Sequence, residues 1–233
     1  MLVRYNELGL KSPRVRKRFQ NQMIRNIEDK FLAAGLDCFI EFDWGRIYVQ
    51  TSNLEKGIRI LRSVFGITSI SPVMISNDSI NSISETVLKL ADDLIKRGHS
   101  FALRTRRTGQ HKYTSIELAE QLGKLILEKN RDKKIRVDLT KPDIELFIEV
   151  RNKRSYIFSQ SFTGPGGLPL GTQGKILGIF SDDHSYVAAW LMMKRGCRVY
   201  PVAFFNEKID ISNGPLYIIV PFDVMNGKYT CWI

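Results

Sequence analysis

The sequence predicts an α/β protein whose N-terminal part is of the α+β kind, and three observations carry that reading. The first seventy or so residues alternate strand and helix signals in the order β-α-β-β-α-β. Near residue 176 an apolar run gives way to a short polar break and then to a segment rich in Ala, Leu and Met, the pattern of strand, tight loop and helix. Between these parts, Gly164, Pro165, Gly166, Gly167, Pro169 and Gly171 interrupt any helix or central strand, because glycine costs backbone entropy and proline lacks a donor. At 233 residues with 43% apolar content, the chain suits two or three small domains with ordinary cores.

Leu2 to Tyr5 reads as a short strand, followed by a turn over residues 6–11. Ser12 before Pro13 marks a helix start: a hydroxyl can cap, and the missing proline N–H is harmless in the first turn. That helix runs to about Ala34 and stops at Gly35, with Phe19, Met23, Ile27 and Phe31 as its buried stripe. Arg14, Arg16, Lys17, Arg18 and Arg25 crowd its first half against the macrodipole preference. A solvated face and a phosphate-binding face both fit. Cys38 to Asp43 and Arg46 to Thr51 alternate around Trp44-Gly45, a hairpin pattern. Asn53 caps a helix ending near Phe65-Gly66, and Thr68 to Ile75 resumes as a strand. The order is a split βαβ of the ferredoxin-like kind.

Ser76 to Ser84 marks a boundary or an extended cap, and an amphipathic helix follows from Ile80 to Arg97, with Ile83, Val87, Leu90, Leu94 and Ile95 on one side. Phe101 to Thr105 is a strand leading into a basic loop, Arg106 to Lys112, before Thr114 or Ser115 caps a helix to about Glu128. Arg104, Arg106, Arg107 and Lys112 can neutralise phosphates as a group, Tyr113 adds a stacking surface, and the helix N-terminus offers N–H groups. A mobile charged loop without a ligand is the competing reading. Residues 101–170 hold 14 Lys and Arg against 8 Asp and Glu, whereas the last 63 residues are nearly balanced, which favours nucleic acid. Ile135 to Leu139, Ile144 to Val150 and Ser155 to Phe162 complete the sheet around an Asn152-Lys153 turn.

Ile176 to Phe180 and Val187 to Met193 flank Ser181 to Ser185. In an open parallel sheet such a junction is where phosphates are held. Asp182 and Asp183 bring the wrong charge for that, and suit a solvated turn near a helix N-terminus. His184 reads as a turn or cap residue. The formal charge of +11 favours a polyanionic partner. No apolar run approaches the roughly 20 residues of a membrane span, and no signal-peptide core follows Met1; a cytoplasmic protein is expected. Cys38, Cys197 and Cys231 are odd in number and far apart, which argues against a disulfide framework and a closed zinc site. No metal site is assigned.

Three stretches then resemble the tRNA 4-thiouridine synthetase (tRNA sulfurtransferase) family: VRYNELGLKSPRVRKRF, FALRTRRTGQHKYTSIELAEQLG, and GPGGLPLGTQGK with VAAWLMMKRGCRVYPVAFFN. The resemblance implies an N-terminal ferredoxin-like domain over 1–72, an RNA-binding THUMP domain over 73–163, a linker over 164–174 and a truncated PP-loop ATP-pyrophosphatase domain, Rossmann-like α/β, over 175–233. In the family the first two domains grip tRNA, and the third activates a uridine with ATP as an adenylate that sulfur displaces; some members also serve thiamine biosynthesis. The resemblance makes Arg104, Arg106, Arg107 and Lys112 the first candidates for tRNA phosphates and Arg14, Arg16, Lys17 and Arg18 the second. It places Ile179, Phe180, Ser181, Ser185, Phe205 and Asn206 at nucleotide-holding positions, with ATP and Mg as the implied cofactors.

The family pattern S-G-G-x-D-S is replaced here by Ser181-Asp182-Asp183-His184-Ser185, one residue shorter and without either glycine. Bare N–H groups can no longer approach a pyrophosphate closely, and two carboxylates repel it unless a divalent cation intervenes. The segment after Asn206 is too short to hold the family's next helix comfortably, and the sequence does not assign Cys231 the catalytic role; no catalytic residue is assigned. So short a sheet must lean on the THUMP domain or on a second subunit. The apolar Trp232-Ile233 end fits packing within the chain or in a homodimer. The expectation is a tRNA-binding protein without its own thiolation activity, with a separate catalytic or sulfur-donor partner; the alternatives are an active sulfurtransferase using an unusual loop and a loosely RNA-binding basic protein.

Overall fold

The computed structural model describes residues 1–5, 12–43, 45–180 and 183–203, and the backbone of 218–219, 222–223 and 228–229. The turn expected at 6–11, together with Trp44, Ser181, Asp182, Phe205, Asn206, Cys231, Trp232 and Ile233, lies outside the described residues. The chain divides into two compact units, residues 1–2 with 71–161 and residues 3–70 with 162–233.

β1 (Leu2–Tyr5), α1 (Pro13–Ala33), β2 (Phe39–Asp43), β3 (Arg46–Gln50), α2 (Leu54–Leu61) and β4 (Ile67–Ser71) follow the expected order, and the strands lie β4-β1-β3-β2. The four-residue spacing of Phe19, Met23, Ile27 and Phe31 puts all of them in the core. Ser12 makes no side-chain cap bond, contrary to expectation; the helix starts on Pro13, whose fixed φ is already helical and whose missing donor leaves one fewer N–H to satisfy. Asn53 does cap α2, accepting from the Lys56 N–H at 2.9 Å. α2 stops earlier than expected, and Ser63 and Val64 continue in tighter bonds to the carbonyls of Ile60 and Leu61.

The strand expected over Thr68 to Ile75 is two strands. Pro72 has no N–H to give a ladder, and β4 ends before it while β5 (Met74–Asn77) begins a second sheet. α3 (Ile80–Leu94), β6 (Ser100–Thr108), α4 (Ser115–Lys129), β7 (Arg136–Val137), β8 (Ile144–Arg151) and β9 (Arg154–Phe158) complete that unit, with strand order β5-β9-β8-β6-β7. α3 and α4 close on the sheet through Ile83, Val87, Leu118, Leu122 and Ile126 against Phe101, Leu146, Ile148, Val150 and Ile157. β8 is an eight-residue central strand, and its alternation supplies Leu146, Ile148 and Val150 to that core.

β10 (Phe162–Thr163) returns to the first sheet, antiparallel to β4. The Gly/Pro stretch that follows is no free linker. Gly164 donates to the Thr68 carbonyl, Gly166 to Ile67, and the Gly66 N–H to Gly166. Leu168 then donates to the Lys194 carbonyl and Gly171 to Gly196, while Asn26 of α1 donates from Nδ2 to the Leu170 carbonyl at 3.0 Å. Two glycines are dictated by space: a Cβ on Gly164 would lie 2.3 Å from the Ile67 carbonyl oxygen, and one on Gly167, at φ +77, 2.1 Å from that of Lys194.

β11 (Lys175–Ile179), α5 (Asp183–Lys194) and β12 (Arg198–Ala203) form the strand-helix-strand unit, with β11 and β12 parallel and β13 (Ile218–Ile219) beside β12. β14 (Phe222–Asp223) and β15 (Lys228–Tyr229) pair with each other. The expectation for this sheet is support from the THUMP domain or from a second subunit; the sheet belongs to the same compact unit as the ferredoxin-like part, with Trp190 of α5 edge-on to Phe65 at 6.0 Å between ring centroids. Leu177 and Ile179 of β11 and Tyr186, Val187 and Leu191 of α5 are exposed.

Candidate nucleic-acid interface

β6 is longer than its sequence pattern suggests. It pairs in parallel with β8 from Phe101↔Ile144 through Thr108↔Arg151, so Arg106 and Arg107 stand on the strand and not in a loop. Alternation then divides the cations. Phe101 and Leu103 face the helices, which puts Arg107 on the helix side and Arg104 and Arg106 on the opposite face. Arg104 is committed: its Nε donates to Glu145 Oε1 at 2.9 Å and its Nη2 to the Leu139 carbonyl at 2.8 Å. Arg106 and Lys112 are exposed and make no ion pair among the described residues. Arg107 reaches the Gly109 carbonyl at 3.5 Å.

The turn after β6 is built by side chains. Gly109 takes φ +104, where a Cβ would lie 3.3 Å from Asn152 Oδ1, and the Asn152 N–H donates to the Thr108 carbonyl. Thr114 and Glu117 form a reciprocal capping box at the start of α4: the Glu117 N–H donates to Thr114 Oγ1 at 3.2 Å and the Thr114 N–H to Glu117 Oε2 at 2.7 Å. The Thr114 backbone N–H, then its hydroxyl, hold the Glu117 carboxyl below the usual carboxylate range, with Arg107 adding to them. Thr105 donates from Oγ1 to the Ser115 carbonyl at 2.7 Å, tying strand to helix. Tyr113 is no free stacking surface, since its ring stacks on His111 with centroids 5.6 Å apart and its hydroxyl donates to the Asp78 carbonyl at 2.7 Å. Its phenol is pushed up by burial, then by Asp78.

In the other unit, Arg14, Lys17 and Arg18 are exposed on α1, whose first turn contains no acid. Arg18 lies 5.4 Å from the centroid of the Phe19 ring. Arg16 differs: it is half-buried and near Tyr5. Burial raises the Tyr5 phenol, opposed by the hydrogen bond from Gln20 and the charges of Arg46 and Arg16.

Of the nucleotide positions, Ile179 ends β11 with its side chain exposed, and Phe180 donates its N–H to the Val202 carbonyl at 2.9 Å and sets its ring edge-on to Tyr186. Ser185 stands half-buried in the first turn of α5. That helix begins at Asp183, four residues before the expected Val187, because an acid in the first turn is favourable there. Ser181, Phe205 and Asn206 are outside the described residues. Among the described residues no group of three or more His, Cys, Asp or Glu side chains is placed to hold a metal, and no helix is long and apolar enough to cross a membrane.

Three family models match the chain in order: the ThiI ferredoxin-like domain over residues 1–71, the THUMP domain over 77–160, and the thiamine biosynthesis protein ThiI over 171–213. Protein PH1313 of Pyrococcus horikoshii is 35% identical, with a TM-score of 0.79 over 89% of this chain and 68% of its own. The chain belongs to the ThiI-type tRNA sulfurtransferase family. Within that family, proteins named probable tRNA sulfurtransferase from Methanobrevibacter smithii and Methanosarcina acetivorans are 38% and 39% identical over 85% and 89% of this chain. The chain covers 52% and 51% of them, so it spans about half the length of these sulfurtransferase relatives. A 4-thiouridine synthetase solved as an RNA complex with bound ATP shares 29% identity at a TM-score of 0.71, covering 88% of this chain and 52% of that one.

His111 and Asp78 carried no role in the sequence reading. The pattern Thr114-x-x-Glu117 was available there as a capping-box signal, whereas nothing local pairs His111 with a residue 33 positions earlier.

Proposed function

We propose that this chain is a tRNA-binding member of the sulfurtransferase family that does not carry out ATP-dependent thiolation by itself. The observation that carries the binding reading is the β6–α4 junction, where Arg106 and Lys112 are exposed and unpaired among the described residues beside a capped helix start. Cations on a fixed backbone neutralise phosphates and release counterions without the cost of ordering a loop. Arg107 adds charge on the helix side of the strand. Arg104, bound to Glu145, holds the segment around Leu139, and the exposed Arg14, Lys17 and Arg18 form a second phosphate-binding set with Arg16 behind them. The related synthetase, solved with RNA, supports RNA as the ligand.

The absence of thiolation rests on sequence. Ser181-Asp182-Asp183-His184-Ser185 contains no glycine and two carboxylates, and Asp183 occupies the first turn of α5, where a phosphate would accept N–H groups. A separate catalytic or sulfur-donor partner, encountered in the cytoplasm, completes this reading. The second reading, an active sulfurtransferase, is favoured by the ATP in the related synthetase. On that reading Ile179, Phe180, Ser181, Ser185, Phe205 and Asn206 hold ATP, with Asp182 or Asp183 on a magnesium ion.

Pyrophosphate release from ATP and magnesium, measured with unmodified tRNA shown by gel shift to be bound, separates the two. No release from the tRNA-bound protein is expected. Release that depends on tRNA establishes the active reading, and failure to bind tRNA over non-tRNA RNA leaves a loosely binding basic protein.

A further inference from the structure

The end of the THUMP unit opposite the β6–α4 junction carries a second concentration of charge. Residues 96–99 and 129–136 hold seven Lys and Arg against one acid, Asp132. Backbone bonds clasp the two segments together: the Gly98 N–H donates to the Lys133 carbonyl at 2.8 Å and the Arg136 N–H to the His99 carbonyl at 3.2 Å. Lys133 Nζ and Arg136 Nη1 donate to the carbonyls of Ile95 and Gly98, and Lys129 pairs with Asp92. Lys96, Arg97, Arg131 and Lys134 are exposed and make no ion pair among the described residues. The carboxylates next along the chain are turned to the backbone. Asp138 Oδ1 accepts from the N–H groups of Thr140 and Lys141, and Asp143 Oδ2 from that of Ser100.

Helix stability does not account for these cations. A helix C-terminus favours positive charge, but the effect falls off within the last turn, and α3 has no basic residue there, while Arg97, Arg131 and Lys134 lie beyond the ends of α3 and α4. Lys134 takes the left-handed conformation, φ +51 and ψ +44, which glycine or asparagine adopts at lower cost. A lysine there adds charge at the expense of backbone fit.

From these positions we infer that segments 96–99 and 129–136 form a further RNA contact, which holds the phosphate backbone of a duplex arm of the same tRNA that the β6–α4 junction binds. The inference rests on reading that junction as an RNA grip. Arg136 pairs with Ser100, the first residue of β6, and Thr108 is the last; at the rise of an extended chain the two basic surfaces stand about 25 Å apart along the strand. The two segments contain no Phe, Tyr or Trp on which an unpaired base could stack. Exposed Lys and Arg on a bonded backbone fit paired strands, whose phosphates they neutralise without reading sequence.

The test measures, over a range of salt, binding of an unmodified tRNA transcript and of two RNA hairpins. Their stems are about five and about sixteen base pairs; at roughly 3 Å per pair only the longer spans both ends of β6. The triple variant Arg97→Gln, Arg131→Gln, Lys134→Asn should bind tRNA and the long stem at least about fivefold more weakly, with a salt slope lower by about two units. On the short stem it should lose less than about twofold, because either surface alone can take that stem. Lys134→Asn by itself should weaken tRNA binding while its urea midpoint stays at or above wild type, the reverse of a structural role. Lys89→Gln with Lys124→Gln, which removes charge from the middle of α3 and α4, should leave tRNA affinity at the wild-type level. Unchanged tRNA affinity in the triple variant, with affinity still lost in the Arg106→Ala, Arg107→Ala double variant, overturns the further contact and keeps the RNA site. Unchanged affinity in both folded variants removes the RNA site itself. Equal losses on the short and long stems, or a matching loss in the Lys89, Lys124 control, overturn the two-ended grip. Loss of binding to phosphatidylserine vesicles with tRNA binding intact assigns the surface to a membrane instead.

Discussion

Two junctions in this molecule share a plan, a parallel strand whose carboxyl end leads to a helix N-terminus, and they are filled with opposite charge. Arg107 on β6, then Lys112 and the Thr114–Glu117 capping box, stand at the first; the sequence of the second brings Asp182 and then Asp183, the first residue of α5. Both offer helix N–H groups to an anion. At the first, basic side chains surround the offer. At the second, an acid takes the place the anion would occupy. They are also held differently. The β6–α4 turn is fixed by side chains, namely His111, Tyr113, Thr114 and Thr105. The β11–α5–β12 unit hangs on backbone bonds from the Gly/Pro stretch to Lys194 and Gly196. The same topology therefore carries basic side chains at one junction and acidic ones at the other, and the choice lies in a few residues.

The backbone collar is the part most easily broken. Gly167→Ala forces a Cβ toward the Lys194 carbonyl at a positive φ, and a loss on the order of 3 kcal/mol is expected from overpacking and strain together. Urea unfolding checks it, with near-UV signals of Trp190 reporting the C-terminal unit. A wild-type midpoint would show that the collar does not hold that junction. Next in size, changing Arg106 and Arg107 together to Ala should weaken tRNA binding at least tenfold, about 1.4 kcal/mol. The same change should lower the salt dependence by roughly two units of slope. The complementary change, Arg104→Ala, should cost more in stability than in salt slope, because its guanidinium is bound to Glu145 and the Leu139 carbonyl.

What the sequence disclosed follows from what is local. The stripe of α1, the Asn53 cap and the hairpin register Asp43↔Arg46 depend on spacings of a few residues, and all were legible. The extension of β6 through Thr108 was not, since it is imposed by pairing with β8 some forty residues later. The splitting of Thr68 to Ile75 had a visible signal in Pro72 that the alternating apolar pattern outweighed. In the candidate site, the basic cluster could be read from composition, but its division between two strand faces and the commitment of Arg104 required the partner strand. The Gly/Pro stretch looked like a spacer for the same reason: its partners, Thr68, Lys194 and Gly196, are distant in sequence.

The side-chain clamp yields smaller effects. Thr114→Ala removes the cap of α4 and should cost about 1 kcal/mol, measured by thermal or urea unfolding, with tRNA affinity falling as the turn loosens. The smallest effect sits at the other end of β6. Asp143 Oδ2 accepts from the Ser100 N–H and hydroxyl, both at 2.7 Å. The backbone bond first, then the hydroxyl, hold its carboxyl below the ordinary value, with His99 and Arg136 adding to them. A depressed folded value means that the unfolded chain binds the proton more readily. The contribution is therefore complete above the unfolded carboxylate value of about 4 and is lost as pH falls below it. Asp143→Asn should lower the urea midpoint at neutral pH, by a deficit that shrinks as pH falls from the unfolded carboxylate value through the lower folded one. Because the group is exposed, the difference should be small. An equal deficit at neutral and at acidic pH would assign the effect to shape rather than charge, and would place the start of β6, unlike its end, outside the electrostatic account of this unit.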